Sequence, residues 1–316
     1  MNRDLGTKLF MEAFESYVHD NRIELNDSNM NDVLQKFIVI YNKDREKIIN
    51  GEKCKSLEEK IADLLDEAAM SENAKKARSY VKKALKLNPD HIGAQLFLID
   101  LEDSQIDKIG KLLELQAREK QRVDHFQREM GEEWDNYYLN IEGRDYLHIL
   151  FDLCQTYIKC GMYNKALSVA VEAIHLDDLD HASFHNDVIS ILLYLEQFEE
   201  AEVWLNGYQV ETPTKLLFDI VYNYKLGDLE LAQDKVEQLS KEYPMIRKLM
   251  LQIKISERSI EKMLMSEQSQ YIHEFMDVLR SSAYLFAENT MFDWIIDQMR
   301  KFKKTPNNKK GNILLN

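Results

Sequence analysis

Small residues recur in this chain at spacings that only stacked pairs of helices explain. In YIKCGMYNKALSVAVEAIHLDD, Gly161 precedes Ala166 by five residues, and Ala173 follows seven later. NYKLGDLELAQDKVEQLSKEYP repeats the ladder, with Gly227, Ala232, Leu239 and Pro244 at steps of five, seven and five. SENAKKARSYVKKALKLNPDH carries its lower rungs as Ala77, Ala84 and Pro89, seven and five apart. A degenerate copy, YLEQFEEAEVWLNGY, has Glu196 in the glycine position and Ala201 in the alanine position. Each residue type has a mechanical task. Glycine at the end of a first helix lets the chain turn through a left-handed conformation. Alanine lets two helices cross closely, where a larger side chain would push them apart. Proline closes the second helix because it cannot continue one.

Composition agrees with a helical reading. There are only 10 Gly and 4 Pro in 316 residues, too few turn-formers for a sheet-rich fold. The chain exceeds one ordinary core in length, so an elongated repeat array is expected.

From Ala166 the equivalent alanines step 35 residues to Ala201 and 31 to Ala232. This ladder resembles the tetratricopeptide repeat, whose period is about 34 residues. The resemblance runs from about residue 57 to 244, with units near 57–90, 147–180, 181–212 and 213–244. The wider order of segments, from NPDHIGAQLFLIDLE through EGRDYLHILFDLCQTYIKCGMYNKALSVAVEAIHLDD to SQYIHEFMDVLRSSAYLFAENTMFDWIIDQMRKF, is similar to a group of bacterial repeat proteins. That group is itself similar to the suppressor-of-tumorigenicity-seven proteins of animals. Departures are Asp178, where a helix-ending proline is usual, and a looser EGRDYL segment. The resemblance implies an all-α, right-handed α-α superhelix and no enzymatic activity.

Around the repeats the sequence predicts further helices. Residues 1–50 read as an amphipathic pair packing on the array, carrying Leu9, Phe10, Phe14 and Val18, then Val33, Phe37, Ile40 and Tyr41. A long inserted helix is expected near 104–130, with Ile106, Ile109, Leu113, Gln116 and Lys120 along one line, overhanging the array. Residues 245–304, closing with Phe286, Met291, Trp294, Ile295 and Met299, are expected to cap the solenoid. Residues 305–316 continue a basic, polar end expected to be disordered.

Function is read mainly from what would line the groove. In such arrays the first helix of each pair faces the concave side. The register places His148, Phe151, Gln155 and Ile158 there, then Ser183, Asn186, Ser190 and Leu193, then Thr214, Leu217, Val221 and Tyr224. This face is apolar to neutral, and it lacks the Lys/Asn/Arg set that clamps a terminal carboxylate in some cochaperones of the repeat class. It suits an apolar or amphipathic helix or an extended peptide. Two readings stay open: the face takes a partner, or the chain's own C-terminal helices cover it.

Chemistry is otherwise sparse. No GxSxG, phosphate loop, GxGxxG or HExxH occurs, so no catalytic residue and no cofactor is assigned. His181 and His185 lie four apart with Asp180 and Asp187 nearby, yet a third and fourth zinc ligand are not evident, so no metal is expected. Cys154 and Cys160 read as packing thiols rather than reactive ones. A net charge of −14 argues against a general DNA binder, although a local basic patch or the tail from Arg300 to Lys310 could meet an anionic partner. No secretory leader or membrane-length apolar run is seen, so a cytoplasmic protein is expected. The expected function is a non-catalytic scaffold or adaptor for other proteins or peptides. A peptide-sensing regulator is the alternative, and an enzyme subunit the less favoured one.

Overall fold

A computed structural model describes residues 57–131, 136–251, 269–287 and 290–302, with Trp134 and several positions between 14 and 38. Among these residues every regular element is a helix, and helices pack mainly on their sequence neighbours. The chain divides into two compact units, Met1–Lys108 and Ile109–Asn316. The division falls inside the segment read from sequence as one repeat array.

In the first unit, α1 (Leu57–Ala69) and α2 (Ala74–Leu87) form a helical hairpin, and α3 (Ile92–Asp100) packs on α2. Asn73 starts α2: its side-chain oxygen accepts hydrogen bonds from the backbone N–H groups of Lys75 and Lys76, at 2.9 and 3.3 Å. The buried stripe of this unit is Ile61 and Ala68 from α1, Ala77, Val81 and Ala84 from α2, and Ala94 from α3. Arg78 ties α2 to the end of α3, donating to Glu102 at 3.0 Å and to the Leu101 carbonyl at 2.6 Å. Further upstream, Phe14, Val33 and Phe37 form a small buried cluster with Tyr17 and Val18 against it. The expected Leu9, Phe10, Ile40 and Tyr41 lie outside the described residues.

Helix α4 (Gln105–Met130) is the long helix expected near 104–130. Its buried line is Ile109, Leu112, Leu115, Glu119 and Val123, not the line through Leu113 and Lys120 read from sequence. Ile106 and Leu113 are exposed. The helix therefore carries one buried line of side chains along an otherwise exposed length. The observed line also takes in Glu119, which a hydrophobicity pattern counts as solvent-facing. It is buried because Arg118 and Arg122 meet its carboxylate at 2.9 and 3.3 Å.

The second unit repeats the hairpin three times: α5 (Ile141–Lys159) with α6 (Tyr163–Leu176), α7 (Phe184–Tyr194) with α8 (Phe198–Asn206), and α9 (Pro213–Leu226) with α10 (Leu229–Glu242). All three corners are built alike. A residue with positive φ sits at each one: Gly161 at 69°, Glu196 at 60° and Gly227 at 85°. Two backbone hydrogen bonds close each turn, Met162 N to Tyr157 O and Gly161 N to Ile158 O at the first. Gln197 to Leu192 and Glu196 to Leu193 close the second; Asp228 to Asn223 and Gly227 to Tyr224 close the third. Five residues past each corner comes the crossing alanine, and Ala166, Ala201 and Ala232 are all fully buried, as is Ala173. The approach at one crossing is close enough that the Cys154 thiol lies 3.6 Å from the Ala166 carbonyl.

Glu196 is the corner where the residue type and the backbone disagree. An L-residue in the left-handed region costs about 1–2 kcal/mol that glycine avoids. Its carboxylate recovers little, meeting Lys225 at 3.2 Å on an exposed surface. Glu196→Gly should therefore stabilise the chain by about 0.5–1 kcal/mol, and Gly227→Ala should destabilise it by about 1 kcal/mol. Urea unfolding of the two variants beside the wild type reads both signs. Equal signs would mean the corners are not equivalent.

After the third hairpin come α11 (Pro244–Leu251), α12 (Ser269–Ser281), a short 3-10 turn at Ala283–Leu285, and α13 (Met291–Lys301). Pro244 opens α11 immediately after Tyr243 caps α10, which is how the expected proline stop is realised. Pro89 likewise follows the Asn88 cap of α2. Helix α13 packs on α10 and α11. Arg247 of α11 closes its C-terminus, donating to the Met299 carbonyl at 2.8 and 3.1 Å and to Phe302 at 3.3 Å. The expected basic tail past Phe302 lies outside the described residues. No helix among the described residues is long and apolar enough to cross a membrane.

Candidate partner-binding site

The first helices of the three hairpins, α5, α7 and α9, carry the row of residues expected to line a groove. Half of that row is buried by the chain itself. Helix α12 packs against α7 and α9, and the 3-10 turn packs against α7. Ile158, Ser190, Leu193, Leu217 and Val221 are all buried. The Ser190 hydroxyl is 2.7 Å from the hydroxyl of Tyr284, which stands in the 3-10 turn. Tyr224 lies against Trp294 of α13, with ring centroids 5.1 Å apart. Asn186 accepts a hydrogen bond from Tyr208. Thr214 is buried, its hydroxyl without a partner among the described residues. Ser183 is not in a helix face at all; it stands before α7 with φ of 60°.

What remains open is the α5 end of the row. His148 is exposed, and Phe151 is 38% exposed and forms a T-shaped pair with Phe184, 5.9 Å between centroids. Gln155 is half-buried and donates to Asp187 at 2.8 Å.

Beneath the row lies a buried polar cluster that hydrophobic periodicity could not reveal. Asp187 of α7 is 4% exposed. Burial pushes its carboxyl up to about 7, against the hydrogen bond from Gln155. Nearby, Tyr284 is pushed up by burial, and so is the Cys154 thiol, which makes that cysteine a packing group rather than a nucleophile. Tyr163, Tyr194 and Tyr284 pack against one another in tilted and edge-on pairs with centroids 4.4 to 5.3 Å apart, joining α6, α7 and the 3-10 turn. One signal was present in the sequence: Asp187 sits at a position where the neighbouring Phe184, Val188 and Ile191 must all be inside.

The histidine pair separates into two structural roles. The His181 ring stacks on Tyr138 at 3.8 Å with 4° between planes and bonds the buried Asp177 carboxylate at 2.8 Å. His185 is wedged between Trp204 and Tyr208, at 5.3 and 4.7 Å. Burial lowers its pKa, and its Nε2 has no partner among the described residues. Asp180, the acid between the helices, is occupied in starting α7. It accepts from the N–H groups of Phe184 and His185 at 2.7 and 2.8 Å, while burial raises its carboxyl to about 6. Among the described residues no group of three or more His, Cys, Asp or Glu is placed to hold a metal ion.

In comparisons with known proteins, no family model and no curated relative matched the chain.

Proposed function

We propose that this chain is a non-catalytic interaction scaffold, built on a tetratricopeptide-like plan of helical hairpins, that holds a helix or peptide of another protein. The observation that supports this most is the recurrence of one corner. Three hairpins turn through the same pair of hydrogen bonds and the same positive φ, each followed by a buried alanine. Repeated hairpins of this kind leave a row of first-helix faces side by side, and such rows accept helices and extended segments.

The chain's own C-terminus illustrates the chemistry of that row. What fills it over α7 and α9 is helical and aromatic, with Tyr284 and Trp294 reaching in. A partner of similar character is the expected occupant of the free part on α5, anchored at Phe151 with His148 beside it. Aromatic side chains, phenylalanine among them, are enriched at the centres of protein interfaces.

The test is capture from lysate of the native host by immobilised full-length chain, wild type against Phe151→Ala. Because Phe151 is more than a third exposed, its loss should leave the helical circular dichroism signal unchanged. Capture of a specific partner should fall about tenfold or more. Capture that survives Phe151→Ala unchanged removes α5 from the proposal. Tyr224→Ala is not a suitable probe, since Tyr224 holds Trp294.

A further inference from the structure

The first unit carries a second surface of the opposite character. Helix α2, AKKARSYVKKALKL, has six cationic residues and no acidic one, in a chain whose net charge is −14. Its apolar side is used up: Ala77, Val81 and Ala84 are buried in the hairpin core. On the other side is an open hollow of about 380 Å³, lined among the described residues by Lys75, Arg78, Ser79, Lys82, Lys83 and Lys86. Lys75, Lys82 and Lys86 fall at spacings of seven and four, so they run along one face for about 16 Å.

These charges are largely unspent. Arg78 is committed to Glu102 and to the Leu101 carbonyl. Lys76 and Lys83 stand over the Tyr80 ring, at 5.7 and 5.1 Å from its centroid. Among the described residues, no carboxylate lies within ion-pair distance of Lys75, Lys82, Lys83 or Lys86. Like charges spaced one turn apart on a helix repel and destabilise it slightly. A row of this kind therefore binds a complementary anion with relief of its own repulsion.

We propose that the outward face of α2 is a docking site for an acidic protein segment about three turns of helix long. Three observations favour carboxylates on a short segment over a nucleic-acid backbone. The row is about 16 Å long and lies on an otherwise acidic chain, so a phosphate backbone running past its ends meets repulsion, whereas a peptide can stop there. The one guanidinium on the face, which would grip phosphate bidentately, is already occupied by Glu102. Tyr80, the only aromatic ring on α2, is half-buried and covered by lysines, so it offers no platform for a base. Glutamates at i, i+7 and i+11 of a facing helix match the spacing of Lys75, Lys82 and Lys86.

The probe is a labelled alanine-based peptide of about 14 residues bearing glutamates at those three positions, followed by fluorescence anisotropy on the full chain. Binding should be measurable at low ionic strength and weaken steeply toward about 0.15 M salt. The double variant Lys82→Glu with Lys86→Glu changes only exposed side chains on α2 and leaves the Phe151 site untouched. It should bind the peptide about tenfold more weakly, or worse, with unchanged helicity. No binding at low salt, or equal binding by the variant, overturns the proposal. So does an oligothymidylate of equal charge that binds more tightly than the peptide, which would assign the face to phosphates. Sedimentation showing self-association that the double variant abolishes would replace the acidic partner by a second copy of this chain.

Discussion

Replacing Phe275 by alanine is expected to cost about 3–5 kcal/mol, the range for truncating a fully buried phenylalanine. Phe275 belongs to α12, the helix that lies across α7, α9 and α11. Its removal leaves a hole beside a helix that packs on the first helices of two hairpins and on α11. The surrounding residues are held by their own hairpins and can close that hole only in part. For a body of this size each kcal/mol moves the midpoint by about 2–4 °C, so a fall on the order of 10 °C is expected. Urea unfolding of the full chain, followed by tryptophan fluorescence, measures the cost. A loss below about 1 kcal/mol would show that α12 adds little to the stability of the unit, and the row beneath it would then be available to partners.

The second large effect is a gain. Asp187 is buried, its folded pKa is raised to about 7, and the ordinary value for an unfolded aspartate is about 3.9. Such a group contributes stability that is fully present below the unfolded pKa and lost as pH rises through the folded one. Stability should therefore decline between about pH 4 and pH 7. Asp187→Asn removes that decline, because the amide copies the protonated acid: it offers a donor and still accepts from Gln155. Above pH 7 the variant should be more stable than the wild type by up to about 4 kcal/mol, and near pH 4 the two should coincide. Some slope will persist in the variant, since Asp180 is raised to about 6 by burial and acts in the same direction. Urea midpoints across this pH range decide the matter. A variant less stable than wild type at pH 8 would mean that the carboxylate is satisfied where it lies.

Both effects arise where the hairpins meet the C-terminal helices, and that junction separates what was legible in the sequence from what was not. The hairpins themselves were legible. Gly161, Gly227, Ala77, Ala84, Ala166, Ala173, Ala201 and Ala232 lie at corners and crossings as their spacing implied, and even Glu196 occupies the positive-φ position its place in the ladder assigns. Signals of this kind are local. A left-handed corner or a close crossing is demanded by a few residues on either side, so each copy announces itself.

Two features were decided only in three dimensions. The buried line of α4 takes in Glu119, whose carboxylate is met by two arginines, a pairing that hydrophobic periodicity does not count. The fate of the first-helix row is the larger case. Ile158, Leu193, Leu217 and Val221 declare by their nature that they will leave water, but an apolar face says nothing of what covers it. The hydrophobic effect is non-directional, so a partner's helix and the chain's own α12 satisfy it equally. Which of them arrives is settled by chain connectivity and by Tyr284 and Trp294 finding Ser190 and Tyr224, contacts between residues dozens of positions apart. By itself the sequence determined the helices, their pairing into hairpins and the corners between them. Only the tertiary structure decided that α7 and α9 are covered from within, leaving His148 and Phe151 of α5 at the surface.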